Sequence, residues 1–91
     1  GRIDENVIDG NVMKSADGSG PGGGVIIIGD GVRVTATRNL IANNRAATAG
    51  GGLFVDEGAT GVLENNVVVG NQAGRGGSGA GSSSGGSIDL F

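Results

Sequence analysis

Neither cysteine nor histidine occurs among the 91 residues, so the side chains that could do chemistry are carboxylates, amides and a few cations. Zinc sites of the common kinds are excluded with them, as are thiolate and imidazole nucleophiles. Asp56, Glu57 and Asp89 are the candidate ligands for a hard cation, because Asp56 and Asp89 read as equivalent positions on neighbouring repeats, offset by two residues on one outer face and not directly stacked. Ca²⁺ is the ion such oxygens would take, and it takes roughly six to eight of them. So few carboxylates fit a solvated surface equally well, with Gly31 and Gly58 making turns beside Asp30, Asp56 and Glu57. Arg33 and Glu64 are placed to pair across repeats, a contact worth little at a surface. Two Gly-rich stretches, Gly18–Gly24 and Gly74–Gly86, lack the Lys-Ser/Thr ending of a phosphate loop and a helix to follow it. No residue acquires a catalytic role from these patterns.

The amides are better organised. Asn6-Val7-Ile8-Asp9-Gly10-Asn11, Asn39-Leu40-Ile41-Ala42-Asn43-Asn44 and Asn66-Val67-Val68-Val69-Gly70-Asn71 share one template: Asn, three mostly apolar residues, a turn residue, Asn. Stacked in register, Asn6, Asn39 and Asn66 form one ladder and Asn11, Asn44 and Asn71 another. Amides so placed hydrogen-bond along the stack at corners, where Asn also tolerates left-handed backbone angles. Binding of sugar hydroxyls is the alternative use of the same amides.

Strands must carry these corners. Met13, Ala46 and Ala73 follow each template two residues on. A second pattern then recurs, Gly-Gly-small followed by alternating apolar residues, at Gly22–Ile27, Gly50–Val55 and Gly85–Leu90. A third strand, Val32–Ala36 and then Ala59–Leu63, precedes the next Asn, and its third copy is expected beyond Phe91. Equivalent positions Ile8, Ile41 and Val68 lie 33 and then 27 residues apart, giving coils at approximately 3–37, 38–64 and 65–91. Period-two alternation points Ile8, Ile41 and Val68 inward, with Val25 and Ile27, Leu53 and Val55, Ile88 and Leu90, Val34 and Ala36, and Gly61 and Leu63. Single units of this size cannot bury an apolar face, but units stacked at about 4.8 Å can. Helix is disfavoured, since Gly costs about 1 kcal/mol per helical position. The expected fold is therefore all-β: about three coils of three short strands, a segment of a longer solenoid, with residues 74–86 as a flexible Gly/Ser-rich corner loop.

The connection from strand one to strand two holds 8, 3 and 11 residues in the successive coils, so variation gathers at one corner. Insertions in solenoids map to one side, frequently the binding side. Lys14, Asp17 and Arg75 would face a ligand there. The outward positions Val7, Leu40, Val67, Val69, Ile26, Ile28, Phe54 and Phe91 are unusually apolar, and this face is expected to be covered.

Composition closes other routes. A net charge of −3 and only two aromatic residues argue against nucleic acid. No apolar run approaches the roughly 20 residues that span a bilayer. The chain opens Gly1-Arg2-Ile3-Asp4 without an initiator Met or a signal-peptide pattern, as a processed or internal segment would.

Gly50-Gly51-Gly52-Leu53-Phe54-Val55, then Ala59 to Asn66, then Gly70-Asn71-Gln72-Ala73 resemble the right-handed parallel β-helix repeats. The likeness is to the Asn/Gly-rich variety of bacterial surface and secreted proteins, similar to polymorphic outer-membrane-protein repeats and to pectate-lyase-like solenoids. That resemblance implies an extracellular or cell-surface, outer-membrane-associated place. It also implies a structural or adhesive role with polysaccharide or host-surface glycan as partner. The non-catalytic portion of a polysaccharide lyase or hydrolase is the alternative. Adjacent coils or end-to-end copies are expected to cover the two ends, which lack the polar caps that repeat proteins carry.

Overall fold

The computed structural model describes residues 1–13, 20, 22–74, 79–82 and 86–90. Among them the chain is all-β, without a helix. It opens with β1 (Arg2–Asp4) and continues through β2 (Val7–Asp9), β3 (Val12–Met13), β4 (Val25–Ile28) and β5 (Arg33–Thr37). A second pass runs β6 (Leu40–Ala42), β7 (Arg45–Ala46), β8 (Leu53–Asp56) and β9 (Thr60–Glu64). A third runs β10 (Val67–Val69), β11 (Gln72–Ala73), β12 (Ala80–Ser82) and β13 (Ser87–Leu90).

The second and third passes each add one parallel strand to each of four sheets, and the first pass holds two strands of one sheet, β1 and β5. Sheet A is ordered β1-β5-β9-β13, sheet B β10-β6-β2, sheet C β11-β7-β3 and sheet D β12-β8-β4. Like therefore pairs with like: Val7, Leu40 and Val67 are aligned, as are Ile8, Ile41 and Val68, and Val25 with Leu53 and Ala80. β-Branched residues favour these short pleated runs. The bends between them use left-handed backbone at repeated places. Glu5, Arg38 and Asn65 have φ of 57°, 54° and 56°, and Gly10, Asn43 and Gly70 have 73°, 56° and 69°. One tight corner thus precedes each Asn of both series.

The interior is narrow and aliphatic. Ile27, Ala36, Leu53, Val55, Ala59 and Leu63 form the buried cluster, with Ile3, Val25, Val34, Ala80 and Ile88 packed against it. Leu53, Val55 and Ile41 are 0% exposed, and each such side chain contributes about 1.5–3 kcal/mol by leaving water. All three belong to the second pass, which has a neighbour on both sides.

Several sequence expectations need correction. The unit holds four strands, because the short β3, β7 and β11 stand apart from the strands that precede them. Ser87–Leu90 is not the third copy of strand two. It pairs with Thr60–Leu63 in sheet A and is the copy of strand three that was expected beyond Phe91. The strand paired with Leu53–Val55 is Ala80–Ser82, inside the stretch read as a flexible Gly/Ser loop. Its three small residues carry no β signal of their own, and the ladder of the neighbouring strand imposes their conformation. The remainder of that stretch from 75 to 78 and from 83 to 85 lies outside the described residues. Arg2–Asp4, unassigned in the sequence, is a strand aligned with Thr35–Thr37.

Candidate functional site

The two asparagine series are the most completely built polar feature of the chain. Asn39 shows the design. Its Oδ1 accepts from the backbone N–H of Asn6 at 2.9 Å and from Asn6 Nδ2 at 3.2 Å. Its Nδ2 donates to the Ile3 carbonyl at 2.9 Å and to Asn66 Oδ1 at 3.0 Å. Its own N–H donates to Asn66 Oδ1 at 2.9 Å. Asn44 repeats every contact one corner on: Asn11 N and Nδ2 donate to its Oδ1, both at 2.9 Å. Asn44 N and Nδ2 then donate to Asn71 Oδ1 at 2.9 and 3.0 Å, and Nδ2 also reaches the Ile8 carbonyl at 2.9 Å. Both central amides are buried and make all the bonds that an amide side chain can make.

Glycines make room for the second series. A Cβ on Gly24 would stand 2.9 Å from Asn44 Nδ2 and 2.6 Å from the Gly52 carbonyl. One on Gly52 would stand 2.9 Å from Asn71 Nδ2 and would collide with the Gly79 carbonyl. The Gly-Gly-small pattern therefore has a packing cause: the Asn column occupies the space that side chains there would need.

A charged corner missed in the sequence lies beside the first series. Asp4 Oδ1 accepts from Thr37 Oγ1 at 2.6 Å, and Arg38 Nη2 approaches the same carboxylate at 2.8 and 2.9 Å. Arg38 Nε also meets Glu5 at 3.4 Å, and Arg2 lies 3.7 Å from Asp4. The Thr37 hydroxyl above all, with Arg38 and Arg2, outweighs the desolvation of Asp4 and holds its carboxyl below the ordinary value. The signal was available, because aligning Glu5-Asn6 with Arg38-Asn39 brings Asp4 beside Thr37. The expected pair of Arg33 with Glu64 does not form among the described ion pairs. The register sets Arg33 beside Thr60 and Glu64 beside Thr37.

The cation candidates separate. Asp56 ends β8 in sheet D, aligned with Ile28, and its Oδ1 accepts from the Glu57 N–H at 2.8 Å. Asp89 belongs to β13 in sheet A, aligned with Val62. Asp56 and Asp89 are therefore not equivalent positions, and the misplacement follows from reading β13 as strand two. Among the described residues no three acidic side chains converge as a metal site. Lys14, Asp17 and Arg75, expected to face a ligand at the variable corner, lie outside the described residues. Beside that corner a shallow cleft of about 290 Å³ is lined by Val12, Met13, Arg45 and Ala47. One cation among apolar side chains gives it few of the convergent polar groups that fix a ligand's orientation.

On the outer apolar face expected to be covered, Phe54 is 5% exposed. Val7 is 72% and Val67 56% exposed, and Leu40, Val69, Ile26 and Ile28 are open as well. Phe91 lies outside the described residues. Among the described residues, no helix is long and apolar enough to cross a membrane. No family model, no curated protein and no solved structure matches the chain.

Proposed function

We propose that this chain is a structural and adhesive segment of a secreted or cell-surface protein, coiled as a right-handed parallel β-helix. The addition of one parallel strand to each of four sheets by the second and again by the third pass supports the coil. Its hand follows from the rule that parallel strands in one sheet are joined by right-handed crossovers in about 98% of cases. The observation that carries the scaffold role is the complete bonding of Asn39 and Asn44. These two side chains tie each pass to the next, and neither Asn39 nor Asn44 has an amide valence left for a substrate. Contact with polysaccharide or surface glycan then falls to the variable corner of Lys14, Asp17 and Arg75, where length changes do not disturb the stack.

A glycan array probed with the 91-residue chain and with its Lys14→Ala/Asp17→Ala/Arg75→Ala variant tests this reading. The expected result is saccharide binding by the parent that the variant loses while its β-type circular dichroism is unchanged. Ca²⁺-dependent release of unsaturated uronide from polygalacturonate by the chain would overturn the reading in favour of a lyase.

A further inference from the structure

Three aspartates of the chain stand directly before glycine, at Asp9-Gly10, Asp17-Gly18 and Asp30-Gly31. Such a pair carries a reaction of its own, because a glycine nitrogen meets little steric hindrance on its way to the aspartate side-chain carbon. The fold treats the pairs differently. Asp9 ends β2 aligned with Ala42, its Oδ1 accepts from Asn43 Nδ2 at 3.1 Å, and the Gly10 N–H donates to the Ala42 carbonyl at 3.2 Å. Both reacting groups there are engaged by the second pass. Asp30 and Gly31 instead form the tip of the turn from β4 to β5, and both are exposed. The Val32 N–H closes this turn onto the Gly29 carbonyl at 3.1 Å, and Gly31 has a φ of 78°, which makes it a type II turn. Exposure belongs to the corner itself. Glu57 takes the matching place in the turn Asp56–Ala59, has a pass on either side, and is exposed as well. Asp17-Gly18 lies outside the described residues.

We infer that Asp30 is a modification site, at which the aspartate isomerises to isoaspartate through a cyclic imide with Gly31. The Gly31 nitrogen attacks Cγ of the protonated Asp30 carboxyl. The N–Cγ bond forms as the Cγ–O bond to the hydroxyl breaks, and that hydroxyl leaves with the amide proton as water. Water then adds to either carbonyl of the five-membered ring. Opening at Cγ restores aspartate. Opening at the main-chain carbonyl leaves the chain running through Cγ and the former main-chain carbonyl as a free carboxylate. One water is lost and one regained, so the mass is unchanged and no oxidant or cofactor enters. Ring closure needs the peptide plane between Asp30 and Gly31 to rotate until the nitrogen faces Cγ. Gly31 has no Cβ and accepts either sign of φ, so the plane turns over between type II and type I forms while Gly29 and Val32 keep their bond. At Asp9 the same rotation breaks the Gly10 bond to Ala42, so that site reacts only after the strand has opened locally.

Incubation of the chain at mildly acidic pH in water enriched in heavy oxygen, once folded and once in urea, tests the assignment. Peptide fragmentation that separates isoaspartate from aspartate reads each position. In the folded chain, position 30 is expected to gain isoaspartate and heavy oxygen about tenfold faster than position 9, the equivalent of about one more hydrogen bond to open at Asp9. In urea the two positions are expected to react at similar rates, since both pairs are Asp-Gly and the turn is gone. Asp30→Glu keeps the charge but would need a six-membered ring. It is expected to abolish heavy-oxygen uptake at position 30 and to leave position 9 and the circular dichroism as in the parent. Equal rates at the two positions in the folded chain, or faster reaction at position 9, overturn the assignment. A preference for position 30 that persists unchanged in urea overturns it likewise, because the turn would then have no part in it. Isoaspartate at position 30 without heavy oxygen would contradict the cyclic imide.

Discussion

The second pass and the two outer passes are built on one template, yet they differ in almost every physical respect. Leu53 and Ile41 in the second pass are fully buried, whereas Val25, Ala80, Ile8 and Val68 at the matching positions of the outer passes are half-buried; Val55 is matched by a buried Ile27 on one side and an exposed Ser82 on the other. Asn39 and Asn44 have every amide valence filled, whereas among the described residues the Asn residues on either side have fewer partners. Toward the first pass the sequence differences are small, Leu53 matching Val25 and Ile41 matching Ile8, whereas toward the third pass Leu53 is matched by Ala80. A neighbour on both faces makes the difference, which is why units of this kind are stable only as a stack.

Substitutions at matched positions break or sharpen that comparison. Asn44→Ala should be the most damaging. It strips partners from the Ile8 carbonyl, Asn71 Oδ1 and the Asn11 amide at once, and about 4 kcal/mol of stability is expected to be lost. Asn11→Ala removes one of these bonds at an exposed end and is expected to cost about 1 kcal/mol in the same urea titration. Leu53→Ala follows, with an expected loss of about 3 kcal/mol for a cavity at a site closed on all sides. Val67→Ala on the outer face should stay within about 0.5 kcal/mol. Gly52→Ala is expected to lose about 2 kcal/mol as its Cβ presses on the Gly79 carbonyl and Asn71, and thermal melting reads it directly.

The smallest effect belongs to the charged corner and is read through pH. Folding lowers the Asp4 carboxyl below its ordinary value, so its contribution is fully present above the unfolded value and disappears as pH falls through the folded one. Stability measured from about pH 5 downward should therefore decline less steeply in Asp4→Asn than in the parent, the ordinary Asp value being about 3.9. Equal slopes would show that the Thr37 and Arg38 contacts are not kept in solution.

Much of this organisation is legible in the residues, and the reason is chemical repetition. Six asparagines at matching places are hard to explain except as two columns, and the register of Asn6 with Asn39 and Asn66 follows from them directly. The Gly-Gly-small pattern is less specific, since it precedes both Leu53 in sheet D and Ile88 in sheet A. That ambiguity sent Ser87–Leu90 to the wrong sheet and made Asp56 and Asp89 look equivalent. Ala80-Gly81-Ser82 could not be recognised by type at all, because its strand conformation comes from the adjacent Leu53–Val55. One spacing would have resolved it: Thr60 follows Leu53 by the same seven residues that separate Ser87 from Ala80. The charged corner of Asp4, Thr37 and Arg38 differs again: the spacing of Asp4 from Asn6 and of Thr37 from Asn39 already sets it in register, and only the charges were left unread.

Native-state hydrogen exchange of the six asparagine backbone amides, at a concentration where the chain is monomeric, tests the directed ladders most directly. Asn6, Asn11, Asn39 and Asn44 each donate their N–H to the next pass and are expected to be protected, with Asn39 and Asn44 slowest. Asn66 and Asn71 should exchange fast. Equal exchange at all six, or protection of Asn66 and Asn71 above Asn39 and Asn44, would contradict the stacking order on which the whole account depends.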